Sequence, residues 1–135
     1  MSEMKYDASN PGPCQQKIAD MVKYGRPIIA RWPAFYKHTS GKEIMIEMLT
    51  MLRLATKARL KYMNKSTLGE LDTSKEIVAM FIGQANETVF TDRRGNERRL
   101  LTDHSYCVWS EQITEIGRLI GGWINSVSDR KNSNR

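Results

Sequence analysis

Arg53, Lys57 and Lys61 stand four residues apart, with Arg59 between the last two. On a helix, residues four apart share a face, so Arg53 neighbours Lys57 and Lys57 neighbours Lys61. Four more arginines, Arg93, Arg94, Arg98 and Arg99, flank a turn at Arg94-Gly95-Asn96. Guanidinium and ammonium groups in such sets pair with phosphates or with the carboxylates of an acidic protein surface. Like charges at a spacing of four repel by a few tenths of a kcal/mol per pair, so these cations do not help the helix form. Binding of a polyanion is one use for them; a solvated face that keeps the chain soluble is the other.

No catalytic constellation accompanies the cations. His38 and His104 are isolated in sequence and read as surface or capping residues. No glycine-rich phosphate loop follows a strand pattern. No spaced carboxylate set could hold magnesium for nucleotide transfer. Cys14 and Cys107 are far apart and lack CxxC or Cys-His spacing, so two free thiols are expected and a metal site is not. The expected class is an assembly and binding protein, not an enzyme, with no cofactor.

The 135 residues are enough for one domain with a real core. At 40% hydrophobic residues the chain should fold and not stay disordered. A net charge of +6 suits an acidic partner without demanding one. The first residues lack the apolar run of a signal peptide, and no stretch is long and apolar enough to span a bilayer. The expectation is a cytoplasmic protein with no membrane partner.

The elements that must carry these cations follow from periodicity. Residues 1–13 read as a flexible lead-in, 14–128 as the folded domain and 129–135 as a polar, basic tail. A first helix, 14–31, carries Ile18, Met21, Val22, Ile28 and Ile29, and Pro27 should bend it. Pro33 pushes Trp32 toward extended backbone, giving an irregular or one-turn corner through Ala34 to Lys37. Trp32, Phe35 and Tyr36 cluster there, as a core plug at the bundle end or, alternatively, as a surface for stacking bases. Ser40 and Glu43 spell a capping box for a second helix running to about Asn64. Ile44, Met48, Met51, Leu52, Ala55, Ala58 and Tyr62 lie near one face of it, and the cations lie on the other. Thr67 and Glu70 spell a second capping box, opening a helix with Leu71, Ile77, Val78, Phe81, Ile82 and Ala85. Thr88 to Thr91 and Arg98 to Leu101 read as a small β-hairpin, or else as a plain loop. Asp103 is the expected cap of a last helix ending near Ser128. Short turns between four amphipathic helices predict an all-α, up-down-up-down four-helix bundle with a hairpin or loop insertion before the last helix.

The last helix holds Ile113, Ile116, Ile120, Trp123 and Val127 on one face, together with Gly117, Gly121 and Gly122. Three interior glycines cost about 3 kcal/mol relative to alanine. The compensating gain is close approach of another backbone, either inside the bundle or between subunits.

The corner RWPAFYKHTSGKEI (31–44) resembles an aromatic-Pro-x-aromatic, basic, Thr-x-Gly-x-x-Ile signature, and EIGRLIGGWINS (115–126) resembles a known last helix. Together they look like the accessory variability determinant (Avd) family of diversity-generating retroelements. The resemblance covers nearly the whole chain after about Lys17, and the Gly-Gly-Trp-Ile run at 121–124 is its most specific part. It implies a four-helix bundle assembling as a homopentamer with a basic surface. It also implies binding to the retroelement's reverse transcriptase and to RNA and DNA, in support of adenine-directed mutagenic cDNA synthesis and retrohoming. The stretch from Thr88 to Leu101 is longer than the family's usual link, so no role carries over to it. The alternative is a related four-helix group encoded in intervening sequences of ribosomal RNA genes, with a general nucleic-acid-binding or scaffold role.

Overall fold

The computed structural model describes the backbone of residues 12–60 and 65–133, and side chains up to Val127. Lys61, Tyr62, most of the lead-in and the side chains of the tail lie outside the described residues. Helix α1 spans Pro13–Ala30, with Pro13 at the first helical position, where its missing N–H costs nothing. Cys14, Ile18, Met21, Val22, Gly25 and Ile29 form its buried stripe, at the three- and four-residue spacing of one helix face. The helix continues through Pro27, which sits on the exposed side.

Two tight turns close α1, with the Arg31 and Trp32 N–H groups donating to the Ile28 and Ile29 carbonyls. Pro33 then opens a new helix. Its first turn, α2, is Ala34–Tyr36, followed without a break by a π-helical segment, Lys37–Gly41, and by α3, Lys42–Leu60. This corrects the expected start at Ser40. The chain is already helical there, so the Ser40 hydroxyl meets no orphan N–H groups and makes no cap. Gly41 is buried where a Cβ would lie 2.7 Å from Ile29 Cγ2 and 3.1 Å from the Tyr36 carbonyl oxygen. Only glycine fits that close approach without displacing a neighbour.

Ile44, Met48, Met51, Ala55 and Ala58 are the buried stripe of α3, as its periodicity predicts. Helix α4, Lys65–Glu87, buries Leu68, Leu71, Val78, Ile82 and Ala85. Thr67 lies inside its first turns and is buried, so the expected capping box at Thr67 is not the helix start.

The insertion is a hairpin. Strand β1, Val89–Thr91, pairs antiparallel with β2, Glu97–Arg99, with Phe90 opposite Arg98. Its turn is built around Asp92, whose carboxylate accepts the Arg94 and Asn96 N–H groups at 2.9 Å each. Gly95 supplies the left-handed residue, φ +81°, that this three-residue loop requires.

Helix α5 spans Asp103–Ser133. Thr102, not Asp103, caps it: the Ser105 N–H donates to Thr102 Oγ1 at 3.0 Å. Asp103 sits in the first turn, where its charge opposes the positive helix end. The helix also runs past the expected end at Ser128.

Helix α1 packs against α3 and α5, and α4 packs against the same two, so α1 and α4 lie on the diagonal of a four-helix bundle. The short links from α1 to α3 and from α3 to α4 make those neighbours antiparallel, and the hairpin carries the chain from the end of α4 into α5. The core centres on Trp109, Ile18, Met21, Met48, Leu71, Ile116 and Ile120, all fully buried. Each aliphatic side chain of that kind contributes about 1.5–3 kcal/mol of burial free energy.

Candidate interaction surface

Arg53 and Lys57 project from the outer side of α3, both exposed. They are set among apolar neighbours. With Leu49, Leu52, Thr56 and Leu60 they line one shallow, open groove. Leu49 is 40% exposed, Leu60 56% and, one turn before the groove, Ile46 47%. The outer side of α3 is thus an apolar strip carrying two cations, where the sequence suggested a basic face. The signal was present in Ile44 to Leu54, where apolar residues occur all round the helix.

Arg59 belongs elsewhere. At about 100° per residue it lies roughly 240° around the helix from Arg53, whereas Lys57 lies about 40° away. Its guanidinium donates to Gln15 Oε1 at 2.9 Å, and the Gln15 amide donates to Thr56 Oγ1. Gln15 is buried on α1, so this network ties α3 to α1.

The four hairpin arginines divide in two. Arg93 and Arg94 are exposed at the tip. Arg98 pairs with Asp92 at 2.9 Å. The Asn96 backbone N–H first, and Arg98 next, hold the Asp92 carboxyl below the usual range. Arg99 donates to Asp103 Oδ1 at 2.7 Å, to Asn86 Oδ1 at 2.7 Å and to the Asn86 carbonyl at 3.2 Å. One guanidinium thereby joins the carbonyl end of α4 to the start of α5.

The hairpin is fastened to the corner between α1 and α3. Trp32 is buried and its indole N–H donates to the Leu100 carbonyl at 2.9 Å. Tyr36 lies against Phe90, ring centroids 5.9 Å apart, and Phe35 meets Tyr36 edge-on at 5.2 Å. Trp32 is therefore the core plug expected of this cluster, but Phe35 points out and is 69% exposed.

The glycines of α5 also divide. A Cβ on Gly117 would lie 3.1 Å from Lys75 Nζ, whose stem crosses the helix there. Burial alone would lower the Lys75 pKa, but ion pairs with Glu76 at 2.8 Å and Asp72 at 3.2 Å outweigh it and hold the ammonium above its ordinary value. Gly121 and Gly122 have nothing within 4 Å of a Cβ position, and Trp123 beside them is half-buried. Close packing against the described residues accounts for neither. The tight approaches are instead at Gly25 and Gly41, which the sequence did not single out.

Cys14 is a buried free thiol whose pKa burial raises to about 11. Cys107 is an exposed free thiol, held above its ordinary pKa by the adjacent Glu111 carboxylate, 3.6 Å away. Among the described residues no group of three or more His, Cys, Asp or Glu could hold a metal ion. No helix among them is long and apolar enough to cross a membrane.

Comparison with curated proteins and with solved structures gave no match. A family model described as bAvd-like matches residues 14–127, the span of the four helices and the hairpin. The chain belongs to the bAvd-like family of accessory variability determinants.

Proposed function

We propose that this protein is a non-catalytic accessory factor of a diversity-generating retroelement. It binds the element's reverse transcriptase together with template RNA and cDNA, and so supports mutagenic reverse transcription and retrohoming. Family membership over residues 14–127 carries this reading. The surface chemistry supports it. The α3 strip, with exposed leucines beside Arg53 and Lys57, suits an amphipathic protein partner with acidic residues. Arg93 and Arg94, exposed at the hairpin tip, suit phosphates; Arg98, Arg99 and Arg59 contribute positive potential from hydrogen-bonded positions. Homopentameric assembly belongs to the same proposal. Gly121, Gly122 and Trp123 are offered for the subunit contact, because no packing among the described residues explains the two glycines.

Co-purification of tagged protein with its reverse transcriptase tests the reading, with parent and Arg53→Glu/Lys57→Glu compared at 150 mM salt, about physiological ionic strength. The parent should retain the enzyme and the variant should lose it, both with unchanged helix content. Nucleic-acid affinity should fall by roughly 0.9 log units per log unit of salt for each duplex phosphate neutralised. A parent that retains neither reverse transcriptase nor nucleic acid would end the proposal.

A further inference from the structure

The aromatic row at the α1–α3 corner and the insertion hairpin form one surface. Phe35, Tyr36 and Phe90 succeed one another at 5.2 and 5.9 Å, from an exposed ring at one end to half-buried rings behind it. Phe35 is 69% exposed, and with Tyr36 and Phe90 it makes a contiguous aromatic patch, which, unlike a scattered apolar residue, marks an interaction site. The Thr39 hydroxyl donates to the Phe35 carbonyl at 2.7 Å, and Tyr36 backs the ring. The hairpin beneath is locked by the Trp32–Leu100 hydrogen bond.

The charge around this row is one-sided. Residues 31–42 contain Arg31, Lys37 and Lys42 and no Asp or Glu. Residues 88–99 contain four arginines against Asp92 and Glu97. The two segments together hold seven cations and two carboxylates; Arg98 is paired with Asp92, and Arg99 with Asp103 beyond the second segment, which leaves Arg31, Lys37, Lys42, Arg93 and Arg94 as the surplus. Arg98 stands on the same face of the hairpin as Phe90, its direct cross-strand partner. Rings that offer a face, set among cations, are the chemistry that holds unpaired bases and their phosphates. A duplex cannot use the rings, because its bases are already stacked on one another.

We propose that Phe35, Tyr36 and Phe90, with Arg93 and Arg94 at the hairpin tip, form a stacking platform for single-stranded nucleic acid. Phe35 takes the base and the cations take the flanking phosphates. This rests on the nucleic-acid part of the proposed function and deepens it, by assigning the single strand to the insertion end of the bundle and leaving the α3 strip to the protein partner.

Fluorescence anisotropy of the full chain with end-labelled oligo-dT and oligo-U of about twelve nucleotides, and with a blunt duplex of the same length, tests the platform. Phe35→Ala should weaken single-strand binding about tenfold, while Phe35→Trp retains it. Duplex affinity should hardly change. The dependence on salt should be the same for Phe35→Ala and the parent, since stacking releases no counterions, and shallower for Arg93→Glu/Arg94→Glu. Circular dichroism checks that each variant is folded. If the parent binds the single strand and Phe35→Ala binds it equally well, the platform is overturned and the proposed function stands. If, in addition, Phe35→Ala changes the oligomer's mass in light scattering, the ring serves a protein contact and the platform is again overturned. If the parent binds no oligonucleotide of either kind, the platform and the nucleic-acid part of the proposed function fall together.

Discussion

Gly25 on α1 faces the indole of Trp109 on α5 so closely that a Cβ at position 25 would stand 2.5 Å from Cζ2 and 2.8 Å from Cη2. Trp109 is fully buried and Tyr24 holds it edge-on, centroids 6.3 Å apart at 84°, so the ring has nowhere to retreat. Gly25→Ala should destabilise the fold by about 1–3 kcal/mol through overpacking, despite the roughly 1 kcal/mol that alanine gains in helix propensity. Gly83, inside α4 with open space at its Cβ position, is the control: Gly83→Ala should stabilise by up to about 1 kcal/mol. Urea unfolding followed by tryptophan fluorescence reads both. Equal midpoints for the two variants would contradict the Gly25 contact.

Arg99 joins the end of α4 to the start of α5 through Asn86 and Asp103. It is partly exposed, so Arg99→Ala should cost only about 0.5–1 kcal/mol globally. The local effect should be larger. Amide exchange at Leu100, whose N–H donates to the Thr88 carbonyl, should accelerate in the variant while exchange at Ile116 stays unchanged. Uniform acceleration along the chain would argue against a local fastening.

The two thiols should differ in reactivity. At pH 8 an aromatic disulfide reagent should modify Cys107, which is exposed, and leave Cys14 until the protein unfolds. Stability should also respond to pH through Cys14. Its folded pKa, about 11, lies above the ordinary thiol value of 9.0, so the unfolded chain loses its proton first. The contribution is complete below pH 9 and is lost between about pH 9 and 11, on the order of 3 kcal/mol at most. Cys14→Ala should flatten that slope, and thermal melts across the pH range measure it.

Gly121 gives a test of assembly separate from folding. A Cβ there meets nothing within 4 Å among the described residues, so Gly121→Leu should retain the parent's helix content. If subunits meet at this glycine, as proposed, light scattering should register a smaller particle. A pentameric mass preserved in Gly121→Leu would remove Gly121 from the subunit contact.

The buried stripes of α1 and α3 and the hairpin are legible in the sequence because periodicity and turn chemistry are local signals. Met48, Met51, Ala55 and Ala58 follow from spacing alone, and Gly95 with Asn96 marks the turn. The helix starts are less legible. Ser40 and Thr67 carry capping chemistry, but the chain is already helical upstream of each, from Ala34 and at Lys65, so neither hydroxyl opens its helix. The length of α5 reflects an absent signal: no glycine or proline follows Gly122 to stop it. Gly25 and Gly41 could not be distinguished from other glycines, since their neighbours, Trp109 and Ile29, become neighbours only in the folded chain. The same holds for Arg59. Its angle from Arg53 was computable, but Gln15 as its partner was not.

The π-helical segment Lys37–Gly41 amounts to one residue inserted into an otherwise continuous helix from Ala34 to Leu60. Removing one residue there would turn everything before it by about 100° relative to α3. Since α3 is anchored by Ile44, Met48 and Met51, the rotation would fall on Phe35 and Tyr36 and pull Tyr36 away from Phe90. Length variation is therefore costly in these five residues, even though His38 and Thr39 face solvent. Around the exposed tip at Arg93 and Arg94 the hairpin can lengthen without disturbing a single core contact.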